Sequence, residues 1–584
     1  MRPRRNTTAL ALGVLVALAA ATALWPAPGP ARADGELVVQ MAVGSHHTCA
    51  VTEAGGVKCW GVNEFAALGD GTQDHSSVPT DVCRQYDVAM EGCVEPLSGA
   101  VALTVGGYSH GCAVIDAGGV ACWGLNVHGE LGTGVFDEEC EDFFFGGTIV
   151  CNLTAVDVPG LTGVVALASG FVHTCALMDT GGVKCWGDNK MGQVGFRTDQ
   201  TCSLGFPCSP TPGDVPGLES GVAAIAAGWF HTCALVETGG VKCWGVNDFA
   251  KLGATSADTC FDVFGRETSC SYTPLDVCQE EDPVTMACIV PLSGAAALGV
   301  GTHHSCVVTD AGGVRCWGSN FNAELGNGSE GGQHPRPGPV CQEYDPVAQN
   351  CVEELTSIAP VITGGFGHAC ALTTAGGVKC WGTNFTGNLG TGIREYQVRT
   401  TPVDVCLTYD DAAGRCDTLL SGVTRLAEGD FIDNCAVTEE GAALCWGSNT
   451  TDQLGTETTD LCFENDWPCA AAPVAVTGLG PKPAPTPTLT ATPSPTITPT
   501  GATATATPTA TGGVTPAASP SPSATPLGGQ IAPDITLPET GGGGPTAGRG
   551  RWGLVVALTA AALAAAGLAF AGGAARRLRK EGAP

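Results

Sequence analysis

The residues in this chain best suited to chemistry are its cysteines, 30 in 584 residues. A thiolate can hold a metal, attack an electrophile or be oxidised to a disulfide, and spacing separates these uses. Fourteen cysteines form seven C-x9-C pairs: Cys49/Cys59, Cys112/Cys122, Cys175/Cys185, Cys233/Cys243, Cys306/Cys316, Cys370/Cys380 and Cys435/Cys445. The other sixteen also fall into close pairs: Cys83/Cys93, Cys140/Cys151, Cys202/Cys208, Cys260/Cys270, Cys278/Cys288, Cys341/Cys351, Cys406/Cys416 and Cys462/Cys469. None is left over. No pair has the C-x2-C spacing of structural zinc sites. Local disulfides are the economical pairing; cross-module links are the alternative that spacing leaves open. Thirty paired cysteines belong outside a reducing cytosol.

Other chemistry is sparse. His47, His110, His173, His231, His304 and His368 hold one place in six copies of a repeat, just before the first cysteine of each pair. A residue needed by every copy is expected to make a structural hydrogen bond to a neighbouring strand or blade, not to catalyse or bind metal. The tryptophans after each second cysteine (Trp60, Trp123, Trp186, Trp244, Trp317, Trp381, Trp446) are expected to pack the copies together. His46, His75, His128, His303 and His334 follow no pattern. There is no G-x-S-x-G, H-E-x-x-H or Walker loop. No catalytic residue, cofactor or metal site is therefore expected.

Charge narrows the partners. Between residues 34 and 480 there are 54 Asp+Glu against 15 Lys+Arg, a net charge of −39. Loops such as Asp137–Asp142 and Glu280–Asp282 concentrate it. Clustered carboxylates suit calcium, but no D-x-D-x-D-G loop occurs, so a solvated surface is the plainer reading. The field repels nucleic acid and anionic lipid and favours basic partners.

The elements that position these residues come from the repeat. Each copy reads Gly-x-x-His-x-Cys, a small apolar run, a Gly-Gly turn, then Val-Lys-Cys-Trp-Gly-x-Asn, and successive copies start 58 to 73 residues apart. β-formers on both sides of a Gly turn predict a hairpin. Its two cysteines are symmetric about the turn, so they face each other across the strands at ~4.5–5.5 Å between Cα atoms, a span a disulfide accepts. An apolar run upstream (Val164–Ala168) and a Pro-containing stretch downstream (Ala155–Pro159, in the preceding copy) bring each unit to about four short strands. Such a unit cannot bury both faces alone, and seven units around an axis can.

The units resemble the RCC1 (regulator of chromosome condensation) family repeat in its bacterial secreted form. The shared features are Gly-x-x-His, the Gly turn, Trp-Gly-x-Asn, and endings such as Gly192-Gln193-Val194-Gly195 and Gly387-Asn388-Leu389-Gly390. The resemblance implies an all-β, seven-bladed β-propeller with four strands per blade over residues 34–480. The seventh copy departs, with Asp433-Asn434-Cys435 in place of the histidine motif and Glu439-Glu440-Gly441 in place of the Gly-Gly turn. The family's best-known activity, nucleotide exchange on a nuclear GTPase, is not expected in an exported chain. A second family precedent, a secreted bacterial propeller that binds a β-lactamase, shares the compartment.

The two ends carry addresses. A basic start, the apolar run Ala9–Leu24 and Ala31-Arg32-Ala33 read as a signal peptide over residues 1–33, cleaved after Ala33. Residues 481–536 are Pro, Thr, Ala, Ser and Gly, expected to form a disordered, extended stalk. Leu537-Pro538-Glu539-Thr540-Gly541 follows, then an apolar helix over 553–574 and a basic cytoplasmic tail, 575–584. That order resembles the cell-wall sorting signal of Gram-positive surface proteins, which implies sortase cleavage between Thr540 and Gly541. A plain transmembrane anchor is the alternative.

Together these features point to a non-catalytic, cell-surface propeller that binds an extracellular protein or glycan. Of the eight additional cysteine pairs, four (83/93, 278/288, 341/351, 406/416) lie between the outer strand and the next inner strand. The other four lie before the outer strand, so disulfide-braced loops are expected on both faces. Such loops suit binding; protection from proteolysis is the bland alternative. A glycan lyase or hydrolase with a site at the propeller mouth, and a structural surface-layer component, are the competing readings.

Overall fold

In a computed structural model, the structure describes residues 35–481, except 108, 143–145, 204, 262–264, 428–431 and 463–466. Ala33, the stalk, Leu537–Gly541 and the apolar segment 553–574 lie outside them. No helix among the described residues is long and apolar enough to cross a membrane.

Seven antiparallel sheets form the blades of an all-β propeller. The third blade shows the plan: Val164–Ser169 innermost, then His173–Met178, Val183–Asp188, and Cys208–Asp214 outermost. In every blade the second and third strands pair so that the cysteines are directly opposite, as Cys175 is to Cys185, with histidine (Asp433 in the seventh) facing glycine.

Disulfides join all seven opposed pairs: Cys49–Cys59, Cys112–Cys122, Cys175–Cys185, Cys233–Cys243, Cys306–Cys316, Cys370–Cys380 and Cys435–Cys445. Every one of these links stays within its own blade, so the cross-module pairing that spacing leaves open does not occur. The joined Cα atoms are 4.1 Å apart in all seven. That is tighter than the ~4.5–5.5 Å expected from the sequence, and it matches the closer, non-hydrogen-bonded type of cross-strand pair.

Two features go beyond four strands per blade. The second, fourth and seventh blades gain a short fifth strand on the outer edge, Glu139–Glu141, Asp258–Phe261 and Asp460–Cys462. Four blade-to-blade connections, expected as loops, are separate two-stranded hairpins, of which Cys83–Asp87 with Gly92–Pro96 is the first. Their tips are turns held by Asp87, Asp282, Asp345 and Asp410, whose Oδ1 atoms each accept two backbone N–H groups.

The blades are joined by the repeated tryptophans. All seven are fully buried, and each indole N–H donates to a carbonyl of the preceding blade at 2.7–3.1 Å. The acceptors are Ala67, Glu130, Gln193, Lys251, Glu324 and Asn388 and, at the closure, Gln453, which serves Trp60. The first and last blades also share a core in which Val38, Met41 and Trp60 pack with Val437, Leu454 and Val476. One parallel bridge, Glu36 to Leu479, adds backbone pairing. The ring thus closes chiefly by side-chain packing. Trp60→Ala should cost roughly 3–5 kcal/mol. In that variant hydrogen exchange should quicken first in Val38–Val43 and Trp467–Ala475; a loss below ~1 kcal/mol would show that this joint does not hold the ring.

The repeated histidines form a second set of joints. His110, His173, His231 and His368 each place Nε2 2.8–3.2 Å from Thr174, Thr232, Ser305 and Asn434 of the next blade. His47 and His304 leave Nε2 without a partner, because the next blade offers Gly111 and Ala369 there. A Cβ on Gly111 would strike the Trp123 ring, so only the second gap can be repaired. Ala369→Ser should stabilise the ring by about 0.5–1.5 kcal/mol in thermal unfolding, and an unchanged or lower melting temperature would count against this role for His304. Asp433 occupies the histidine slot of the seventh blade, where burial pushes its carboxyl well above the usual range.

Candidate binding face

After four antiparallel strands each blade ends on the side where it began. The first-to-second and third-to-fourth connections therefore share one face. The four disulfide hairpins and both ends of the ring, joined at Glu36 and Leu479, share the other.

The first of these faces carries a chain of touching aromatic rings. Phe171, Trp229, Phe230, His303 and Phe366 stand in the first-to-second connections of blades three to six; Phe249, Phe321, Phe385 and Tyr396 stand in the third-to-fourth connections of blades four to six. Trp229 is the hub, with ring centroids 5.0 Å from Phe171, 6.2 Å from His303 and 6.1 Å from Phe366. The last contact spans from the fourth blade to the sixth, so these rings gather near the axis. Phe249 continues the chain to Phe321 at 5.9 Å, and Phe385 to Tyr396 at 5.6 Å. Trp229 is 5% exposed, whereas Phe321 and Tyr396 are 55% and 49% exposed.

Local structure lifts the rings into place. At Gly228 a Cβ would strike both the His231 ring and the Gly301 carbonyl. Only glycine lets the buried histidine tuck beneath the loop while the next residue, Trp229, stays above it. Phe249 and Ala250 both adopt left-handed φ, 57° and 60°, a conformation that costs about 1–2 kcal/mol per residue. The fully buried Lys251 holds this turn. Its Nζ lies 2.6 Å from Asp248 Oδ1 and 3.4 Å from the Thr302 carbonyl of the next blade, beside His303. Burial favours the neutral acid at Asp248, but the Lys251 ammonium, His303 and Arg266 outweigh it and hold the carboxyl below its usual range. Burial and the Lys251 charge hold His303 down to about 4, so at neutral pH it is an uncharged ring.

The central cavity, about 250 Å³, is lined by the inner strands. Among the described residues, Arg425 is the one ionisable side chain in its wall, and no paired acids or His/Tyr cluster line it. No group of His, Cys, Asp or Glu among the described residues is arranged to hold a metal. The eight additional cysteine pairs are disulfides, four in the hairpins (Cys83–Cys93, Cys278–Cys288, Cys341–Cys351, Cys406–Cys416) and four at the outer strands on the aromatic side (Cys140–Cys151, Cys202–Cys208, Cys260–Cys270, Cys462–Cys469). The repeated tryptophans contribute nothing to the aromatic face. His303, which follows no repeat pattern, does contribute. The repeat hides these rings because they occupy the variable positions of Gly-x-x-His; Gly228-Trp-Phe-His231 and Gly365-Phe-Gly-His368 are the signal it leaves.

Models of the regulator of chromosome condensation (RCC1) repeat match residues 38–66, 164–193, 222–250 and 180–235. The ultraviolet-B receptor UVR8 of Arabidopsis thaliana is 26% identical over 303 residues, 52% of this chain and 58% of that protein. The secretion-regulating guanine nucleotide exchange factor of Bos taurus is 27% identical over 347 residues, 59% of this chain and 63% of that protein. The chain thus spans about three-fifths of the length of these curated relatives. Among solved structures, human WBSCR16 superposes with a TM-score of 0.49 at 19% identity, covering 72% of this chain and 94% of that one.

Proposed function

We propose that this seven-bladed ring of RCC1-type repeats is a non-catalytic binding module that takes its partner on the aromatic face. The observation that carries the reading is the run of touching rings from Phe171 to Tyr396, part of it open to solvent, on a scaffold locked by disulfides. Rings fixed before binding lose little order on association, and aromatic anchors dominate the energetics of protein contacts. The face is rich in phenylalanine, which has no polar head to meet sugar hydroxyls, and this favours a protein over a glycan. Among the described residues Arg425 is the one ionisable side chain in the wall of the central cavity, so none of them gives the lyase or hydrolase reading an acid–base pair there.

The proposal extends to place. A signal peptide cleaved after Ala33, a Pro/Thr stalk and Leu537–Gly541 would hold the ring outside the membrane, joined to the cell wall or left on a membrane helix. The described ends of the ring, Glu36 and Leu479, pair on the hairpin face. The test is affinity capture from extracellular proteins and polysaccharides on the immobilised full chain and on its Phe321→Ala/Tyr396→Ala variant. A protein retained by the first and lost from the second is expected. Identical retention by both would overturn the assignment of the face.

A further inference from the structure

Resting on that reading, we infer that the aromatic face is matched to a cationic segment, a stretch of partner in which Lys or Arg alternates with apolar residues. Three observations converge.

Phe321 and Tyr396 leave about half of their surface open to solvent. Their faces are electron-rich and attract ammonium or guanidinium groups, while their bodies accept apolar side chains. Two of the chain's own cations already do this on the same side of the ring: Arg197 lies 4.2 Å over Tyr272, and Lys190 5.1 Å over Phe206.

Most of the protein's own cations are already paired with carboxylates, Lys251 and Arg394 on the aromatic side among them. Among the described residues, Lys58, Lys184, Lys242 and Lys379 sit on Asp81, Asp214, Asp276 and Asp404, and Arg336 and Arg394 also sit on carboxylates. Arg425 lines the central cavity instead.

Acid lies at the exposed end of the run of rings. Glu330 is close enough to Tyr396 to help raise its phenol, after burial, and Glu395 is exposed beside it; the Asp248 carboxylate, next to Phe249, is offset by Lys251. The ring as a whole has 54 acidic against 15 basic residues. This field draws cations in and repels a second copy of the same ring. A basic, apolar partner is the occupant that satisfies both the π surface and the charge.

The test uses the purified full chain and three immobilised 12-residue peptides: alternating Lys/Phe, alternating Ser/Phe and alternating Glu/Phe. Binding is followed by interferometry at 50 and 300 mM salt. The Lys/Phe peptide should bind at least tenfold more tightly than Ser/Phe, and Glu/Phe should not bind. High salt should weaken the Lys/Phe complex at least tenfold. Phe321→Ala/Tyr396→Ala should weaken it similarly, with circular dichroism unchanged because both rings are half exposed. Equal binding of Lys/Phe and Ser/Phe, with the variant still impaired, would overturn the cationic inference while leaving the aromatic face as the binding site. Binding that the variant does not impair would overturn both. A dimer in light scattering that the variant abolishes would make a second copy the occupant and overturn the inference.

Discussion

Lowering the pH from 7 to 4 is expected to unfold the ring in one cooperative transition near pH 5. The cause is the circle of buried imidazoles. Burial holds His110, His173 and His304 down to about 3, and His47 and His368 to about 4. Burial also holds His231 well below its ordinary value. In the unfolded chain an imidazole titrates near ~6.5. Below that pH the unfolded chain takes up protons that the folded ring refuses, so stability falls as pH falls from 6.5 towards the folded values. At pH 5 each histidine costs about 2 kcal/mol. The five imidazoles held to about 3 or 4 together cost ~10 kcal/mol, and His231 adds in the same direction; that is comparable to the ~5–15 kcal/mol that holds a typical protein folded. Glu130 acts on the other side. Burial pushes its carboxyl up to about 8, so the stability it contributes declines as pH rises from ~4.5 to about 8. Stability should peak near pH 6–7. Near-ultraviolet circular dichroism against pH measures this, and a native spectrum persisting at pH 4 would contradict it.

Reduction is expected to have the larger effect. Each hairpin disulfide joins cysteines 10 apart in sequence. Closing a loop of that length in the unfolded chain is worth about 2.7 kcal/mol by the chain-entropy relation. Seven such bridges supply ~19 kcal/mol, more than the usual margin of stability. The bridges are shielded in the core, all fourteen cysteines being at most 1% exposed, so reduction needs partial unfolding. With thiol reductant and mild denaturant, the chain should therefore unfold far below the denaturant midpoint of the oxidised form. A single-blade variant, Cys175→Ala/Cys185→Ala, should lose about 2–3 kcal/mol. A reduced chain that keeps its midpoint would show that packing alone suffices.

The architecture is legible in the sequence because every copy repeats the same physical demands. Trp186 needs a carbonyl on the preceding blade and finds Glu130; Trp60 meets the identical need with Gln453, which closes the circle. The cysteine symmetry around the Gly turn likewise marks the hairpin register, from Cys112 opposite Cys122 to Cys435 opposite Cys445. The histidine joints are legible in kind but not in detail, since the partner of His173 is Thr232 in the next copy, and whether it exists depends on that copy alone. The hairpins between blades carry a repeated Val-Cys-x-x-Tyr-Asp, as at Val82–Asp87 and Val340–Asp345, yet their strands are mostly exposed and lack an apolar alternation. The aromatic face is the least legible. Comparison of copies reveals what they share, and Phe171, Trp229 and Phe366 sit where the copies differ.

A rigid, oxidised ring is the premise behind both the fixed aromatic face and its place outside the cytosol. Non-reducing peptide mapping of the native full chain tests it most directly. Fifteen local links should appear, from Cys49–Cys59 to Cys462–Cys469, with no free thiol. Free thiols in quantity, or links between different blades, would contradict it.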